Sequence, residues 1–237
     1  MIVHECRQGS DEWHRLRLGI PTASGFARLV TPKTGKASAQ AFGYLCECFA
    51  EYGIGGPLDE SSSLWMDRGR DLEERAIAWY EFDRGCDVRR VGFVTDDGAT
   101  VGCSPDGLVG DDGGLEIKVP AAKTHVSYLL RPSTLPNAYR MQIQGGLWIC
   151  GRQWWDIVSY NPAMPAVVVR VERDEELIDK LADATEAFAV ELDAALVKFG
   201  YKESEQESKN GNEGNEGVRH LRNDEGSRDV SALIATS

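Results

Sequence analysis

The 237-residue chain has no apolar run long enough to span a membrane, and its first ten residues, MIVHECRQGS, lack the apolar stretch of a signal peptide. It contains neither a CxxC nor an HExxH motif, and its six cysteines and four histidines are scattered. These absences argue against a disulfide framework and against a zinc site. We therefore expect a cytoplasmic protein with no membrane partner, whose cysteines are reduced and in several cases buried.

Positive charge is also scarce, with 26 Lys and Arg against 38 Asp and Glu, for a net charge of −12. Residues 171–237 carry 17 acidic and eight basic residues, whereas residues 1–40 carry three acidic and six basic ones. The basic N-terminal arm leaves nucleic acid open as a partner. Residues 203–237 are rich in Glu, Ser, Asn and Gly, and we expect them to form a disordered acidic tail after a folded domain of residues 1–202.

The pattern most informative for function is the turn Ser104–Gly107 followed by a strand over Leu115–Val119. Side chains alternate along a strand, so Glu116 and Lys118 share one face, and Asp106 at the neighbouring strand end converges on them. Two carboxylates beside a lysine suit a hard cation. On these residues alone, a turn aspartate and a solvated Glu116/Lys118 pair remain the simpler interpretation.

A second polar group lies in the N-terminal arm. Residues 8–19 predict a short capped helix that carries Arg17, and a second helix is expected to begin near Thr22 or Ser24. A helix N-terminus with a free hydroxyl beside an arginine can hold a phosphate. Ordinary helix capping, with Arg17 paired to an acid at the end of its helix, explains the same residues equally well.

The rest of the chain predicts the alternating elements of an α/β domain. Helices are predicted over residues 37–52, 64–83, 136–150 and 174–199, and strands over 154–160 and 167–171. Residues 88–119 predict a three-stranded meander in which residues 110–114 form the second turn. Glu73 lies on the polar side of the 64–83 helix, where a lone glutamate is usually solvated.

The order of these blocks resembles the core of the PD-(D/E)xK nucleases. The segments QGSDEWHRLRLGIPTAS, CSPDGLVGDDGGLEIKVP, AYRMQIQGGLWI, and YNPAM followed by VERDEE are similar to the lambda exonuclease and YqaJ-type viral recombinase family. The resemblance covers roughly residues 5–200. It implies an α/β fold with a restriction-endonuclease-like core, in which helices flank a mixed central sheet.

The resemblance also implies an activity. Members of the family are Mg²⁺-dependent exonucleases that digest one strand of double-stranded DNA from its 5′ end, and Mn²⁺ can substitute for Mg²⁺. The implied partners are double-stranded DNA ends, two further copies in a homotrimer, and a single-strand annealing protein of phage-type homologous recombination in a bacterial host. Two alternatives stay open: a structure-specific DNA endonuclease on the same core, and a non-catalytic DNA-end-binding recombination protein.

Roles for individual residues follow from the same resemblance. The implied catalytic residues are Glu73, Asp106, Glu116 and Lys118, and the implied metal ligands are Asp106, Glu116, the Ile117 carbonyl and Glu73. The implied contacts to DNA and its 5′-phosphate are Arg17, Ser24, Tyr139, Gln142 and Gln144. Asp96 lies near a further acid of the family pattern. Beside two cations, the ammonium form of Lys118 is expected to be disfavoured.

Overall fold

The structure is a computed structural model that describes residues 1–31, 35–58 and 64–203, and for residues 64–70 the backbone alone. The helices and strands below all lie in residues 1–202, which form one compact unit. Apart from Glu203, the predicted acidic tail lies outside the described residues.

The secondary structure alternates as an α/β chain does. In chain order the elements are β1 (Ile2–His4), α1 (Asp11–Arg17), a 3₁₀ helix (Ala23–Arg28), α2 (Ala41–Ile54), α3 (Leu64–Arg84), β2 (Val88–Arg89), β3 (Phe93–Thr95), β4 (Gly102–Cys103), β5 (Gly107–Val109), β6 (Gly113–Lys118), α4 (Ala122–Leu130), α5 (Thr134–Ala138), α6 (Arg140–Ile149), β7 (Trp154–Ser159), β8 (Val167–Glu172) and α7 (Glu175–Lys198). This order confirms the predicted α/β class.

A five-stranded mixed sheet in the order β2-β5-β6-β7-β8 forms the centre of the fold. The pair β6 and β7 is parallel, with Lys118 opposite Ser159, and the other neighbours are antiparallel. On one face of the sheet, Leu115 and Ile117 of β6 pack in an apolar cluster with Ile77 and Tyr80 of α3. Helix α6 lies near β6 and β7, so helices flank the mixed sheet as predicted.

The predicted single meander over residues 88–119 is wrong, because its strands belong to two sheets. Strand β3 pairs with β1 on one side and with β4 on the other in a separate three-stranded antiparallel sheet. Strand β1 has only three residues, too few for an alternating pattern to predict it. This long-range pairing of β1 with β3 brings the N-terminal arm to the Ser104–Asp106 segment.

The strand β6 begins at Gly113, although the sequence predicted a turn there. The register of the parallel pair places Gly113 opposite Trp154 and Gly114 opposite Trp155. A Cβ atom on either glycine would lie 2.2 Å from the facing indole ring. The two glycines are therefore strand residues that make room for tryptophan rings, and a larger side chain would push the rings away.

The regions predicted as helices are helical, but some of their bounds and types differ from the prediction. Residues 136–150 form two helices, α5 and α6, because the backbone leaves helical geometry at Tyr139 (φ −121°, ψ 16°). The helix expected from Thr22 or Ser24 is a 3₁₀ helix, and no side-chain cap from Thr22 supports it. Helix α4 was not predicted. Ser10 accepts a hydrogen bond from the Trp13 amide and caps α1 as expected.

The six cysteines are free thiols, and Cys48, Cys103 and Cys150 are buried, as the sequence predicted. Within the described ranges, none of the helices combines the length and the apolar character that crossing a membrane requires.

Candidate active site

Strand β6 carries the first two polar side chains of the site. Leu115 and Ile117 face α3 and are buried in apolar contacts, so alternation turns Glu116 and Lys118 to the opposite face, where α6 lies. Glu116 is only 4% exposed, and Lys118 is partly buried. The alternation inferred from the sequence is therefore correct.

Asp106, the residue immediately before β5, joins them. Its Oδ2 atom accepts a hydrogen bond from the backbone N–H of Ile117 at 2.5 Å, which holds the carboxylate beside Glu116. Burial and the charges of Glu116 and Glu73 raise the pKa of Asp106 well above its usual value, and the Ile117 amide and Lys118 offset only part of this. Carboxylates that repel one another in a dry site favour a cation among them.

The Glu116 carboxylate is held by two donors on the same oxygen. Lys118 Nζ lies 2.6 Å from Glu116 Oε1, and Gln142 Nε2 of α6 donates to that oxygen at 2.6 Å. Lys118 Nζ also lies 3.5 Å from Gln142 Oε1 and 4.6 Å from the centre of the Tyr139 ring. The ammonium therefore sits in a fixed place between an amide, a carboxylate and an aromatic face.

The pKa of Lys118 moves in the opposite direction from the sequence argument. Burial lowers it, but the charge and hydrogen bond of Glu116 act together with the charges of Asp106 and Tyr139, and the pKa is raised. Burial likewise raises the pKa of Glu116, against the lowering effect of Lys118. The sequence argument assumed two cations beside Lys118, and without them the neighbouring carboxylates decide the sign.

Glu73 reaches the same region from α3. Its Oε1 atom lies 3.8 Å from the Arg90 guanidinium. Burial raises the pKa of Glu73, Arg90 lowers it, and the charge of Glu116 raises it further. The pKa of Asp106 is thus raised by both of the other carboxylates, and the pKa of Glu73 is raised by Glu116.

The donor chemistry of the site fits a hard divalent cation, because Glu73, Asp106 and Glu116 offer only oxygen atoms. Among the described residues, however, no three Asp, Glu, His or Cys side chains already form a metal-binding group. Lys118 and Gln142 occupy one oxygen of Glu116, and the Ile117 amide occupies one oxygen of Asp106. The residues fit the cation in type, and the carboxylates would draw together around it.

Arg17 forms a second polar centre. Its guanidinium lies 4.2 Å from the centre of the Trp13 ring and donates to Ser104 Oγ at 3.1 Å and to Thr22 Oγ1 at 3.4 Å. Ser24 Oγ lies 3.2 Å from Thr22 Oγ1. In the described part of the chain Arg17 forms no ion pair, so the simple pairing with an acid at its helix end does not occur.

A cavity of about 210 Å³ connects the two centres. Its walls include residues of both centres. Glu116 and Gln142 come from the first, and Trp13, Arg17, Ser24 and Ser104 come from the second. A group bound at the Arg17 guanidinium therefore lies in the same space as the Glu116 carboxylate. This cavity brings together residues that are 99 positions apart in the sequence.

Two predicted residues lie elsewhere. The side chain of Gln144 is 2% exposed; it donates to the carbonyl of Glu172 and accepts from the amide of Asp174, each at 2.9 Å. It thus ties α6 to the start of α7, and the prediction that it contacts DNA is corrected. Asp96 accepts hydrogen bonds from Thr100 and Val101 in the turn between β3 and β4.

The sequence interpretation missed two residues of the cavity. The sequence indicates only a turn at Ser104, but its hydroxyl accepts hydrogen bonds from Arg17 and, at 2.9 Å, from the Trp13 indole. The sequence indicates only a helix at Trp13, although its ring supports the Arg17 guanidinium. The sequence does offer one signal for Ser104: it lies two residues before Asp106, and so close to the site.

Comparison with known proteins gives consistent matches. Residues 12–153 match the YqaJ-like viral recombinase domain. The crystal structure of an alkaline exonuclease (LHK-Exo) from Laribacter hongkongensis is 34% identical, with a TM-score of 0.71 over 84% of this chain and 99% of that one. Its complex with dAMP is 35% identical, with the same coverage and TM-score. A search of curated proteins gives no match.

A phage-related exonuclease from Haemophilus somnus 129PT covers 81% of this chain and 100% of its own, with a TM-score of 0.61. At 18% identity it supports the fold alone. The matches together confirm the fold class and the resemblance that the sequence blocks indicated. The chain therefore belongs to the YqaJ-like viral recombinase family, which includes phage-type exonucleases.

Proposed function

We propose that this protein is a metal-dependent exonuclease that degrades one strand of linear double-stranded DNA from its 5′ end. The observation that carries the proposal is the cavity that joins the Arg17 guanidinium to the Glu116 carboxylate. A cation without an acid partner suits a terminal phosphate, and carboxylates beside a lysine suit hydrolysis of a nearby phosphodiester. The 34% identical alkaline exonuclease supports the nuclease chemistry.

The 5′ end would be selected by charge. A terminal phosphate carries more negative charge than a phosphodiester and exposes more oxygen atoms. The planar fork of Arg17 suits two of these oxygens, and the hydroxyls of Ser24 and Ser104 can satisfy the third. Gln142 and Tyr139, beside Glu116, would contact the strand where it is cut. A seated end then sets which bond reaches the carboxylates.

Mg²⁺ is the cation that an oxygen-only donor set favours, and Mn²⁺ is a suitable substitute. Asp106 and Glu116 would hold it with the Ile117 carbonyl, and Glu73 would complete a second position. When bound, such a cation makes water more acidic and neutralises charge on the phosphate oxygens.

Lys118 would place the attacking water by donating a hydrogen bond to it. Its Nζ atom is fixed by Glu116 at 2.6 Å and by the face of Tyr139 at 4.6 Å, so a water bound to it would have a defined position. Gln142 keeps the Glu116 carboxylate oriented through its hydrogen bond to Oε1. The face of the Tyr139 ring attracts the Lys118 ammonium and so favours one rotamer of the Lys118 side chain over the others.

The family resemblance supports a homotrimer that encloses DNA, a single-strand annealing protein as partner, and a role in phage-type recombination in the cytoplasm of a bacterial host. A ring retains a strand between cuts, whereas a monomer releases it. Light scattering tests the assembly: the proposal expects three times the 26.1 kDa chain mass, and a stable monomer at micromolar concentration contradicts it.

Replacing Arg17 with alanine is expected to remove the preference for a phosphorylated 5′ end. Wild-type protein should digest 5′-phosphorylated duplex about 100-fold faster than 5′-hydroxyl duplex, because only the seated phosphate aligns the bond. The ratio of the two rates under single-turnover conditions measures this. Arg15→Ala, an exposed arginine of the same helix, is the matched control and should keep the ratio. Equal wild-type rates on the two substrates would contradict the proposal.

A further inference from the structure

A second cavity, of about 380 Å³, opens beside Glu73. Its lining includes Arg7 and Gln8 from the segment before α1, and Arg90 from the segment after β2. Among the residues whose side chains the structure describes, it shares none of its lining with the cavity that holds Arg17 and Glu116. Two arginines therefore face a space that Glu73 and the neighbouring Glu74 also line.

The segment Ser104–Asp106 lies between the two cavities. On one side, Ser104 Oγ accepts a hydrogen bond from Arg17 in the first cavity. On the other side, the carbonyl of Pro105 accepts from Gln8 Nε2 of the second cavity at 2.9 Å. Glu116 lines the first cavity and Glu73 lines the second. The cluster of Glu73, Asp106 and Glu116 thus lies between a site around Arg17 and a site around Arg7 and Arg90.

The two arginines of the second cavity are available to a ligand. Both are exposed, and Arg7 forms no ion pair with any residue that the structure describes. Arg90 is 3.8 Å from Glu73 Oε1, which is too long for a hydrogen bond. An exposed contact of this kind contributes little free energy, so Arg90 loses little when it turns to another anion.

The neighbouring Arg89 is different. Its Nη2 atom lies 2.5 Å from Glu5 Oε1, within hydrogen-bonding distance, and Arg89 does not line the cavity. Two consecutive arginines, 89 and 90, therefore have separate surroundings, one paired with an acid and one beside the carboxylate centre.

We propose that Arg7 and Arg90 bind backbone phosphates of the cut DNA strand on the 3′ side of the scissile bond. This inference rests on the proposed 5′-directed exonuclease. A strand whose 5′ end lies at Arg17 and whose first phosphodiester lies at Glu116 continues past the carboxylates toward Glu73, and the second cavity is there. In a protein with a net charge of −12, cations at that point offset the repulsion that the strand meets.

Binding to DNA in Ca²⁺, which holds the substrate without supporting rapid cleavage, tests the proposal in the full-length protein. Arg7→Gln and Arg90→Gln should each weaken binding to a 5′-phosphorylated duplex about tenfold at moderate salt. Each should lower the slope of log K against log salt by about one, because one phosphate contact is lost. Arg89→Gln removes the same charge one residue away and should leave the slope unchanged.

A scan with neutral methylphosphonate linkages locates the contacts. Wild-type protein should lose affinity when either of the two linkages directly 3′ of the first phosphodiester is neutral. In the Arg7→Gln/Arg90→Gln double variant, the same substitutions should have no further effect. All variants should keep the wild-type ratio of rates on 5′-phosphorylated and 5′-hydroxyl ends, since Arg17 is intact.

The outcomes separate the inference from the function on which it rests. If wild-type protein digests linear duplex but Arg7→Gln and Arg90→Gln bind as Arg89→Gln does, the inference is overturned and the proposed function stands. If the sensitive linkages lie elsewhere in the duplex, the inference is overturned as well. If wild-type protein digests no linear duplex in Mg²⁺, the proposed function fails first and the inference fails with it.

Discussion

Lys118→Ala is expected to slow the digestion of linear 5′-phosphorylated duplex about 1000-fold, which corresponds to about 4 kcal/mol of activation free energy. The reason is geometric. Lys118 Nζ is the group held between Glu116 and the Tyr139 ring, and no other cation lies within ion-pair distance of Glu116 among the described residues. Without it, nothing donates the hydrogen bond that places the attacking water. Single-turnover rates in saturating Mg²⁺ measure the loss.

Asp106→Asn should cause a loss of similar size, because the neutral amide keeps the shape of the side chain but no longer holds a cation. Two control variants match these changes in charge: Lys123→Ala on α4 and Asp111→Asn in the turn before β6, both exposed. The controls should stay within about twofold of the wild type, an effect under 0.5 kcal/mol. A Lys118→Ala protein that is folded and digests DNA at the wild-type rate would refute the assignment.

Asp156→Ala is expected to lower the free energy of unfolding by about 3 kcal/mol or more. Asp156 is 2% exposed on β7, where it accepts hydrogen bonds from the Tyr80 hydroxyl at 2.7 Å and from Arg170 at 2.8 and 2.9 Å. Arg170 also stacks on the Trp154 ring at 3.5 Å. Removing the carboxylate leaves the Tyr80 hydroxyl buried without a partner and a cation beside an apolar surface. Urea unfolding measures the change.

The control for that change is Asp179→Ala, an exposed aspartate on α7, which should alter the free energy of unfolding by less than about 0.5 kcal/mol. Tyr80→Phe, made alone and together with Asp156→Ala, gives the coupling between the two side chains. We expect a coupling of about 1 kcal/mol or more, because the groups are in direct contact. A loss below about 1 kcal/mol in Asp156→Ala would show that water replaces the carboxylate.

The polar face of β6 could be predicted from the sequence because it depends on local geometry alone. Alternation along a strand places Glu116 and Lys118 together in any sheet that buries Leu115. The position of Asp106 beside Glu116 could also be predicted, because Asp106 lies in a turn that leads into the strand adjacent to β6. The approach of Arg17 to the same cavity depends on the pairing of β1 with β3, which short local patterns do not encode.

Other errors arose where packing between distant residues overrides local preference. Gly113 and Gly114 look like turn residues until the tryptophans of β7 are placed against them. Gln144 is an error that the sequence itself could have prevented, because two residues along a helix differ by about 200° in direction. If Gln142 faces Glu116, Gln144 faces away, and the structure places it against the start of α7.

The central claim is metal-dependent digestion that begins at a 5′ end. The measurement that tests it most directly uses linear duplex with different labels at the 5′ and 3′ ends of one strand, and closed circular duplex of the same sequence. In Mg²⁺ we expect early release of the 5′ label from the linear duplex as mononucleotides, with the circle intact and no release in EDTA. Cutting of the circle, earlier release of the 3′ label, or digestion that persists in EDTA would contradict the claim.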